Sequence, residues 1–485
     1  MRYRLSWRDN DDRLDTALAA NRLLARGHTV WWCAEGADAL EAGDYVVDCP
    51  RAVAQALATL GVRLNSTTEV PPTARPLALP RVALLGGSVS AYPYDGYYAL
   101  VLARLGMPFR SVSGGDIAAG ALRDRDLLVL PGGFSTWGLD AGEDAPGADA
   151  EVRALLGRGG ACIGSCGGAF YLSSGRPGWT GSAGVLPRVT HEYLQSGVGL
   201  VTVRVDAAHP LRAGLAEAVE MPYYHGPVWE PDECARAPGV SVVARFRSLG
   251  LSGRLFIDNP LDQERFAREV EGRAAILASA GPRGRAVLFS PHPEMGDLVR
   301  KHLAIDGYVR RYLPVRGPAV LDATLRHYRP LESPSFRLVS NAVHWLAARA
   351  DDAPGAVAPP APAASAPWDA LARRRRGLVP PADADAALGA LLDAEIARLA
   401  ARAERVERAM ESALARPPSA ADTELRAAWH AMAHAAAAHL ARAQTTPGPL
   451  ALGLLDVETL VCLAEAWLRA FEVDAALDAG AKAQS

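Results

Sequence analysis

The chain has 485 residues, 49% of them hydrophobic, and a formal net charge of -3. This length exceeds one ordinary hydrophobic core, so two or three domains are expected, and the nearly balanced charge argues against a nucleic-acid-binding body. The first residues contain no apolar segment of signal-peptide length, and no apolar run is long enough to span a bilayer, which predicts a soluble cytoplasmic protein.

Residues 1–78 alternate short extended and helical patterns. The extended patterns cover 3–7, 29–33 and 45–48, and the helical patterns cover 13–26 and 51–60. Gly27 and Gly61 follow the two helical patterns, where helix C-termini favour glycine. The segment is therefore predicted to be a small α/β domain, which the proline-rich stretch 70–76 closes as a stiff linker.

Residues 79–350 repeat a pattern of apolar strand, glycine-rich turn and helix. The strand pattern 81–85 leads into Gly86-Gly87-Ser88, and the strand pattern 126–130 leads into Pro131-Gly132-Gly133. Such repetition predicts an α/β fold with a doubly wound, flavodoxin-like parallel sheet. Functional loops of these sheets follow the carboxyl ends of the strands.

Cys166 lies in the segment Gly164-Ser165-Cys166-Gly167-Gly168, between an apolar strand pattern and a helix-compatible stretch. A sharp strand-to-helix turn holds one side chain at its tip and requires small neighbours two positions away, which Gly164 and Gly168 provide. A cysteine at a helix N-terminus also feels the positive end of the helix dipole, which favours the thiolate. Cys166 is the candidate nucleophile, although a lone Gly-x-Cys-x-Gly is also compatible with a buried core cysteine.

A second motif supplies the base. The strand pattern 286–289 ends in Ser290-Pro291-His292-Pro293-Glu294, and Pro293 restricts the backbone between the histidine and the carboxylate. A surface turn would explain His-Pro-Glu alone. At the end of a strand, and together with Cys166, it predicts a base and an orienting acid, so Cys166, His292 and Glu294 form the predicted catalytic triad.

Two further groups fit the same site. The backbone N–H groups of Gly133 and of Gly167, the residue after the nucleophile, are predicted to form an oxyanion hole. Aromatic and polar residues crowd two loops, and the predicted substrate pocket comprises Gly87, Ser88, Tyr224 and His225. Rings at strand ends also cap hydrophobic cores, so a purely structural role for the aromatic residues stays open.

The last part of the chain begins with a linker. Residues 351–367 are rich in proline and alanine, a composition that cannot build a core. Residues 368–485 contain helical patterns at 385–414, 421–443 and 457–476, which predict a helical bundle that serves assembly or docks a protein partner. His430 and His434 are spaced to hold a metal, but the motif lacks its usual context, so no metal site and no cofactor are predicted.

The motifs around Gly133, Cys166 and His292, together with Met221-Pro222-Tyr223-Tyr224-His225-Gly226-Pro227, carry a family resemblance over about half of the chain. This part resembles the class I glutamine amidotransferase superfamily, and within it most closely the N-terminal domain of eukaryotic biotin-protein ligases and their stand-alone bacterial homologues. The resemblance implies a triad of Cys166, His292 and Glu294 and oxyanion donors at Gly133 and Gly167.

Phe170 departs from the superfamily pattern, because glutamine-hydrolysing members usually have glutamine at this place in the motif. The chain also contains no phosphate-binding loop of the Gly-x-x-x-x-Gly-Lys type and no recognisable synthetase half. The sequence therefore predicts a Cys-His-Glu hydrolase or amidotransferase that acts on an amide or related acyl carbon of a small-molecule or peptide substrate. The alternatives are a catalytically idle binding or scaffold protein and a glutaminase that feeds ammonia to a separate synthetase.

Overall fold

The computed structural model of the chain describes residues 1–36, 40–87, 92–133, 139, 146–173, 197–256, 259–281, 284–311, 318–347, 367–380, 382, 384, 386–417, 420–443 and 450–483. Most of the predicted linker 351–367 and the predicted pocket residue Ser88 lie outside these residues. Within the described part of the chain, no helix is both long enough and apolar enough to cross a membrane.

The N-terminal region forms a five-stranded antiparallel sheet. Its strands are β1 (Arg2–Leu5), β2 (Thr29–Trp32), β3 (Tyr45–Asp48), β4 (Asn65–Ser66) and β5 (Arg75–Pro76). They are arranged in the order β4-β1-β3-β2-β5. Helices α1 (Arg13–Ala25) and α2 (Arg51–Thr59) complete the small α/β unit, which confirms the fold predicted for this part of the chain.

The central region is built on a nine-stranded sheet. Its strands are β6 (Val82–Leu85), β7 (Phe109–Val112), β8 (Leu127–Leu130), β9 (Ala161–Ser165), β10 (Val198–Val205), β11 (Ala218–Tyr224), β12 (Val240–Ser252), β13 (Ala274–Gly281) and β14 (Gly284–Phe289). The parallel half has the order β7-β6-β8-β9-β14. Numbered along the chain, this order is 2-1-3-4-5, the flavodoxin-like arrangement, so the predicted doubly wound core is confirmed.

The other half of the sheet is antiparallel. Strands β13, β12, β10 and β11 extend the sheet outward from β14, and each neighbouring pair runs in opposite directions. This extension was not part of the sequence-based prediction. It places β13 beside β14, so the strand that precedes His292 is interior to the sheet and hydrogen-bonded on both sides.

Apolar side chains cover both faces of the parallel strands. Along β6, Val82 and Leu84 join the hydrophobic cluster on one face, whereas Ala83 and Leu85 join the cluster on the other face. The same alternation recurs along β8, where Leu128 belongs to the second cluster. Burial on both faces explains why these strands read as continuous apolar runs in the sequence.

The helices of the central region flank this sheet. They are α3 (Tyr94–Arg104), α4 (Gly114–Ala118), α5 (Ala148–Gly157), α6 (Gly167–Leu172), α7 (Pro231–Arg236), α8 (Gln263–Glu269), α9 (Gly296–Arg311), α10 (Pro318–His327) and α11 (Phe336–Ala347). Short 3₁₀ helices cover Pro210–Arg212, Pro293–Met295 and Pro330–Glu332. The first of these 3₁₀ helices contributes Leu211 to the larger hydrophobic cluster.

The C-terminal region is helical, as predicted. Its helices are α12 (Pro367–Arg376), α13 (Ala386–Ala415), α14 (Ala420–Ala443) and α15 (Leu450–Lys482). Helix α15 is longer than the predicted segment at both ends, and Trp467 on it belongs to the same hydrophobic cluster as Leu18 and Tyr97. Asp474 on α15 also forms a buried bidentate ion pair with Arg22, at 2.8 Å.

Helix α15 therefore shares its core with the N-terminal and central regions. The predicted domain boundaries and the predicted docking of a partner by this region stay predictions.

Candidate active site

Cys166 and His292 follow two neighbouring strands of the parallel sheet. Cys166 comes directly after β9, and His292 comes shortly after β14, with which β9 pairs in parallel. The backbone N–H of Cys166 donates to the carbonyl oxygen of Phe289, at 2.8 Å, and fixes the two strand ends against each other. Both residues thus lie at the carboxyl edge of the sheet, where open α/β folds place their sites.

The backbone at Cys166 has the geometry of a strained elbow. Its φ is 49° and its ψ is -108°, a conformation that residues with a side chain seldom adopt. The helix that follows packs so closely against β8 that a Cβ at Gly168 would overlap the carbonyl oxygen of Leu130. The small residues around Cys166 therefore meet a steric requirement, and they hold the thiol at the tip of the turn.

His292 and Glu294 form a buried pair. The Nδ1 atom of His292 lies 2.7 Å from Oε1 of Glu294, and both side chains are 1% exposed. The ring of His292 and Cys166 border the same backbone position, because a Cβ at Gly132 would lie 2.5 Å from Cε1 of His292 and 3.3 Å from Cβ of Cys166. The structure thus brings the three predicted catalytic residues together.

The imidazole of His292 is a strong proton acceptor. Its burial opposes protonation, but the carboxylate of Glu294 and the sulfur of Cys166 outweigh this effect and raise the pKa of His292 to about 10. The thiol of Cys166 donates to the carbonyl oxygen of Tyr224, at 3.0 Å. Transfer of the thiol proton to His292 would give a thiolate beside an imidazolium, the form of cysteine that acts as a nucleophile.

Two residues that sequence reasoning missed hold the carboxylate in place. The hydroxyl of Ser165 donates to Oε2 of Glu294, at 2.9 Å, and the hydroxyl of Tyr98 on α3 lies 2.5 Å from that of Ser165. Tyr98 and Ser165 are fully buried. Because both oxygens of Glu294 have partners, its carboxylate cannot rotate without breaking a hydrogen bond, so Tyr98 and Ser165 are positioning residues.

The predicted oxyanion donors are neighbours in space. A Cβ at Gly167 would overlap the carbonyl oxygen of Gly133 and would lie 3.6 Å from its nitrogen. Gly133 has a φ of +86°, which favours glycine. Gly167 begins α6, where a backbone N–H has no acceptor within the helix.

The predicted pocket residues differ in their surroundings. The ring of Tyr224 lies edge-on to the imidazole of His292, with 5.7 Å between the centroids, and also contacts Phe256 at 5.2 Å. His225 is buried, and its Nδ1 accepts from the backbone N–H of Gly197, at 3.1 Å. Gly87 follows β6 at the same edge of the sheet, with a φ of +90°. Their part in a substrate pocket stays a prediction.

Tyr94 was also missed as a neighbour of the nucleophile. Burial and the proximity of Cys166 raise the pKa of Tyr94 to about 12. Its ring lies 6.0 Å from that of Phe256 and borders Gly133, since a Cβ there would lie 3.3 Å from Cδ2 of Tyr94. The aromatic content of this loop was its sequence signal, but its neighbours could not be read from the sequence.

The candidate metal pair lies on the C-terminal helix α14. Among the described residues, no group of three or more histidine, cysteine, aspartate or glutamate residues is placed to hold a metal ion. Burial, together with the charge of Arg426, lowers the pKa of His430. His430 and His434 therefore have no third ligand within the described part of the chain.

No protein-family model and no curated protein matches the chain. Among solved structures, it is similar to a glutamine amidotransferase from Thermotoga maritima, with 13% identity and a TM-score of 0.33 over 54% of this chain and 98% of that one. A putative GMP synthase component from Thermoplasma acidophilum gives 14% identity and a TM-score of 0.28 over 44% and 85%. A cytoplasmic protein from Salmonella typhimurium gives 14%, 0.28, 51% and 100%.

Proposed function

We propose that this protein is a cysteine-dependent hydrolase or amidotransferase that attacks an amide or related acyl carbon. The observation that carries the proposal is the meeting of the strained elbow at Cys166 with the buried pair of His292 and Glu294. A nucleophile, a base that contacts it and an acid that orients the base are the parts that covalent acyl transfer requires. In the motifs that carry it, the site is similar to that of the biotin-protein ligase N-terminal domain family.

The reaction would proceed in two halves. His292 accepts the thiol proton, and the thiolate of Cys166 attacks the acyl carbon while the oxyanion accepts hydrogen bonds from the N–H groups of Gly133 and Gly167. The carbon–nitrogen or carbon–oxygen bond then breaks, and the imidazolium protonates the leaving group. Water or an amine loses a proton to His292, attacks the thioester and releases the product, which restores the thiol.

Thiol alkylation tests the proposal without knowledge of the substrate. Burial raises the pKa of five cysteines, to about 11 for Cys49 and to about 12 for Cys33, Cys162, Cys234 and Cys462. Iodoacetamide at neutral pH is therefore expected to modify Cys166 first, which peptide mass spectrometry measures directly. If Cys166 is alkylated no faster than Cys33 or Cys462, the proposal fails.

A second candidate function is a binding protein that keeps this fold without turnover. The burial of Cys166, which is 2% exposed, favours it, because a nucleophile must be reached by its substrate. Incubation with p-nitrophenyl esters separates the two functions. An acyl adduct on Cys166 in the intact mass, absent from Cys166→Ser, supports acyl transfer. A rapidly alkylated thiol that never forms this adduct supports the binding protein.

Glutamine is a less suitable substrate. Phe170, which is buried on α6, occupies the place of the glutamine that glutamine-hydrolysing members usually carry. An aromatic ring cannot supply the two-sided hydrogen bonding of an amide side chain. Ammonia release from glutamine, measured with the purified protein, would return glutaminase activity to consideration.

A further inference from the structure

A cleft opens at the edge of the parallel sheet opposite the candidate active site. It has a volume of about 340 Å³ and lies where β6, β8, β9 and β14 begin, at Arg81, Leu127, Ala161 and Arg285. Strand β9 runs from this cleft to Cys166, which at 3.3 Å per residue corresponds to roughly 17 Å. A ligand in the cleft would therefore be out of reach of the thiol.

The cleft is rich in positive charge. Its charged lining residues are Arg81, Arg123, Arg125, Arg158, Arg285 and Asp126. Five arginines against one aspartate contrast with the chain as a whole, whose net charge is -3. Like charges that face one concave space repel one another, and a concave wall concentrates their field on whatever enters it.

Carboxylates neutralise part of this charge. The pairs are Arg81 with Asp126 at 2.7 Å, Arg125 with Asp124 at 2.8 Å and Arg123 with Glu151 at 3.5 Å. The last pair is long, and the side chain of Arg123 is 74% exposed, so it contributes little neutralisation. Arg158 donates to the backbone carbonyl oxygen of Leu122 and has no carboxylate partner among the described residues.

We propose that this cleft binds an oligophosphate, either free or as part of a nucleotide. Guanidinium groups donate paired N–H groups to phosphate oxygens, and the tetrahedral phosphate accepts from several directions at once. The cavity volume lies within the range of small-molecule sites. Arg123 and Arg158 are the residues that a phosphate group would engage without first displacing a short ion pair.

Calorimetric titration with inorganic pyrophosphate at constant ionic strength tests the proposal on the full chain. The wild type is expected to bind saturably, and Arg123→Gln to bind about tenfold more weakly, because it loses a charge-assisted hydrogen bond. Arg268→Gln is the matched control. Its side chain is 60% exposed on α8, pairs with a glutamate at the same 3.5 Å and lies outside the cleft. This variant is expected to bind like the wild type.

Two further measurements sharpen the assignment. Arg158→Lys keeps the charge but loses the planar fork, and a weaker affinity than wild type is expected. ADP that binds as tightly as pyrophosphate, or more tightly, identifies a site that accepts nucleotides, and weaker ADP binding identifies one for free oligophosphate. The proposal is overturned if pyrophosphate gives no saturable binding at millimolar concentration, if Arg123→Gln and Arg268→Gln bind alike, or if citrate binds more tightly than pyrophosphate.

Discussion

Two buried histidine–glutamate pairs in this protein have similar geometry and opposite electrostatics. His292 lies 2.7 Å from Glu294, and His302 lies 2.9 Å from Glu458. All four side chains are at most 2% exposed. Nevertheless, the pKa of His292 is raised to about 10, whereas the pKa of His302 is lowered. Distance and burial are alike, so the neighbouring charges must make the difference.

The neighbours of the two pairs have opposite signs. Burial lowers the pKa of His302, and Lys301 adds to the effect because its ammonium lies 2.7 Å from the same carboxylate. At His292 burial acts in the same direction, but Glu294 and the sulfur of Cys166 outweigh it. The pair of His302 and Glu458 is a link between α9 and α15, whereas the pair of His292 and Glu294 is suited to activate a thiol. A histidine–glutamate contact alone therefore does not identify a catalytic base.

The largest effect is expected where the structural pair loses its acid. In Glu458→Gln, the cations of Lys301 and Arg402, which lie 2.7 and 3.0 Å from this carboxylate, remain buried without it. The free energy of unfolding should fall by about 3–5 kcal/mol, as measured by urea unfolding. Glu294→Gln is the matched variant. It pairs with a histidine and a serine, and a smaller loss is expected; equal losses would contradict the contrast between the pairs.

The catalytic pair should control the thiol. His292→Gln removes the proton acceptor and is expected to slow alkylation of Cys166 by about 100-fold or more. The control is His302→Gln, which should leave the alkylation rate of the folded protein at the wild-type value. Similar losses in both variants would mean that the reactivity of Cys166 depends on general packing and not on its base.

The two histidines should also respond to pH in opposite directions. The pKa of His292 is raised from 6.5 to about 10, so its contribution to stability is complete below pH 6.5 and is lost as the pH rises towards 10. The pKa of His302 is lowered, so its contribution is present above pH 6.5 and is lost as the pH falls.

Urea unfolding of wild type and His292→Gln between pH 6.5 and 10 measures the first trend as a shrinking difference between the two proteins. The same comparison for His302→Gln is made from pH 7 downward. A difference that grows with pH for His292→Gln would contradict the assigned direction of its pKa.

The smallest effect is expected for the hydroxyl behind the orienting acid. Tyr98→Phe breaks the contact with Ser165 and should slow alkylation of Cys166 about fivefold, the equivalent of about 1 kcal/mol for one hydrogen bond. Tyr97→Phe on the same helix is the control, because the hydroxyl of Tyr97 is buried without a hydrogen-bond partner among the described residues. Equal rates for the two variants would remove Tyr98 from the site.

Local constraints made the nucleophile and its base readable from the sequence. The elbow at Cys166 needs small residues at fixed spacing, and His292 and Glu294 are separated by a single proline, so both patterns lie within a few positions. The parallel core was predictable for a related reason. Strands buried on both faces are apolar throughout, and helices must connect parallel neighbours.

Contacts between distant segments could not be read in this way. The link from Tyr98 through Ser165 to Glu294 joins three elements, and the arginine cleft assembles from the starts of four strands. Helix α15 shows the same limit. Its buried residues lie on all of its sides, a pattern of central helices that was interpreted as one member of a separate bundle.

The sequence by itself determined the elbow at Cys166, the motif at His292 and the parallel core, because steric and periodic requirements act between near neighbours in the chain. The tertiary structure decided which charges surround each buried histidine, which face of the protein collects the arginines and where α15 packs. These features depend on how distant segments meet in space, and burial removes the water that would otherwise screen their charges.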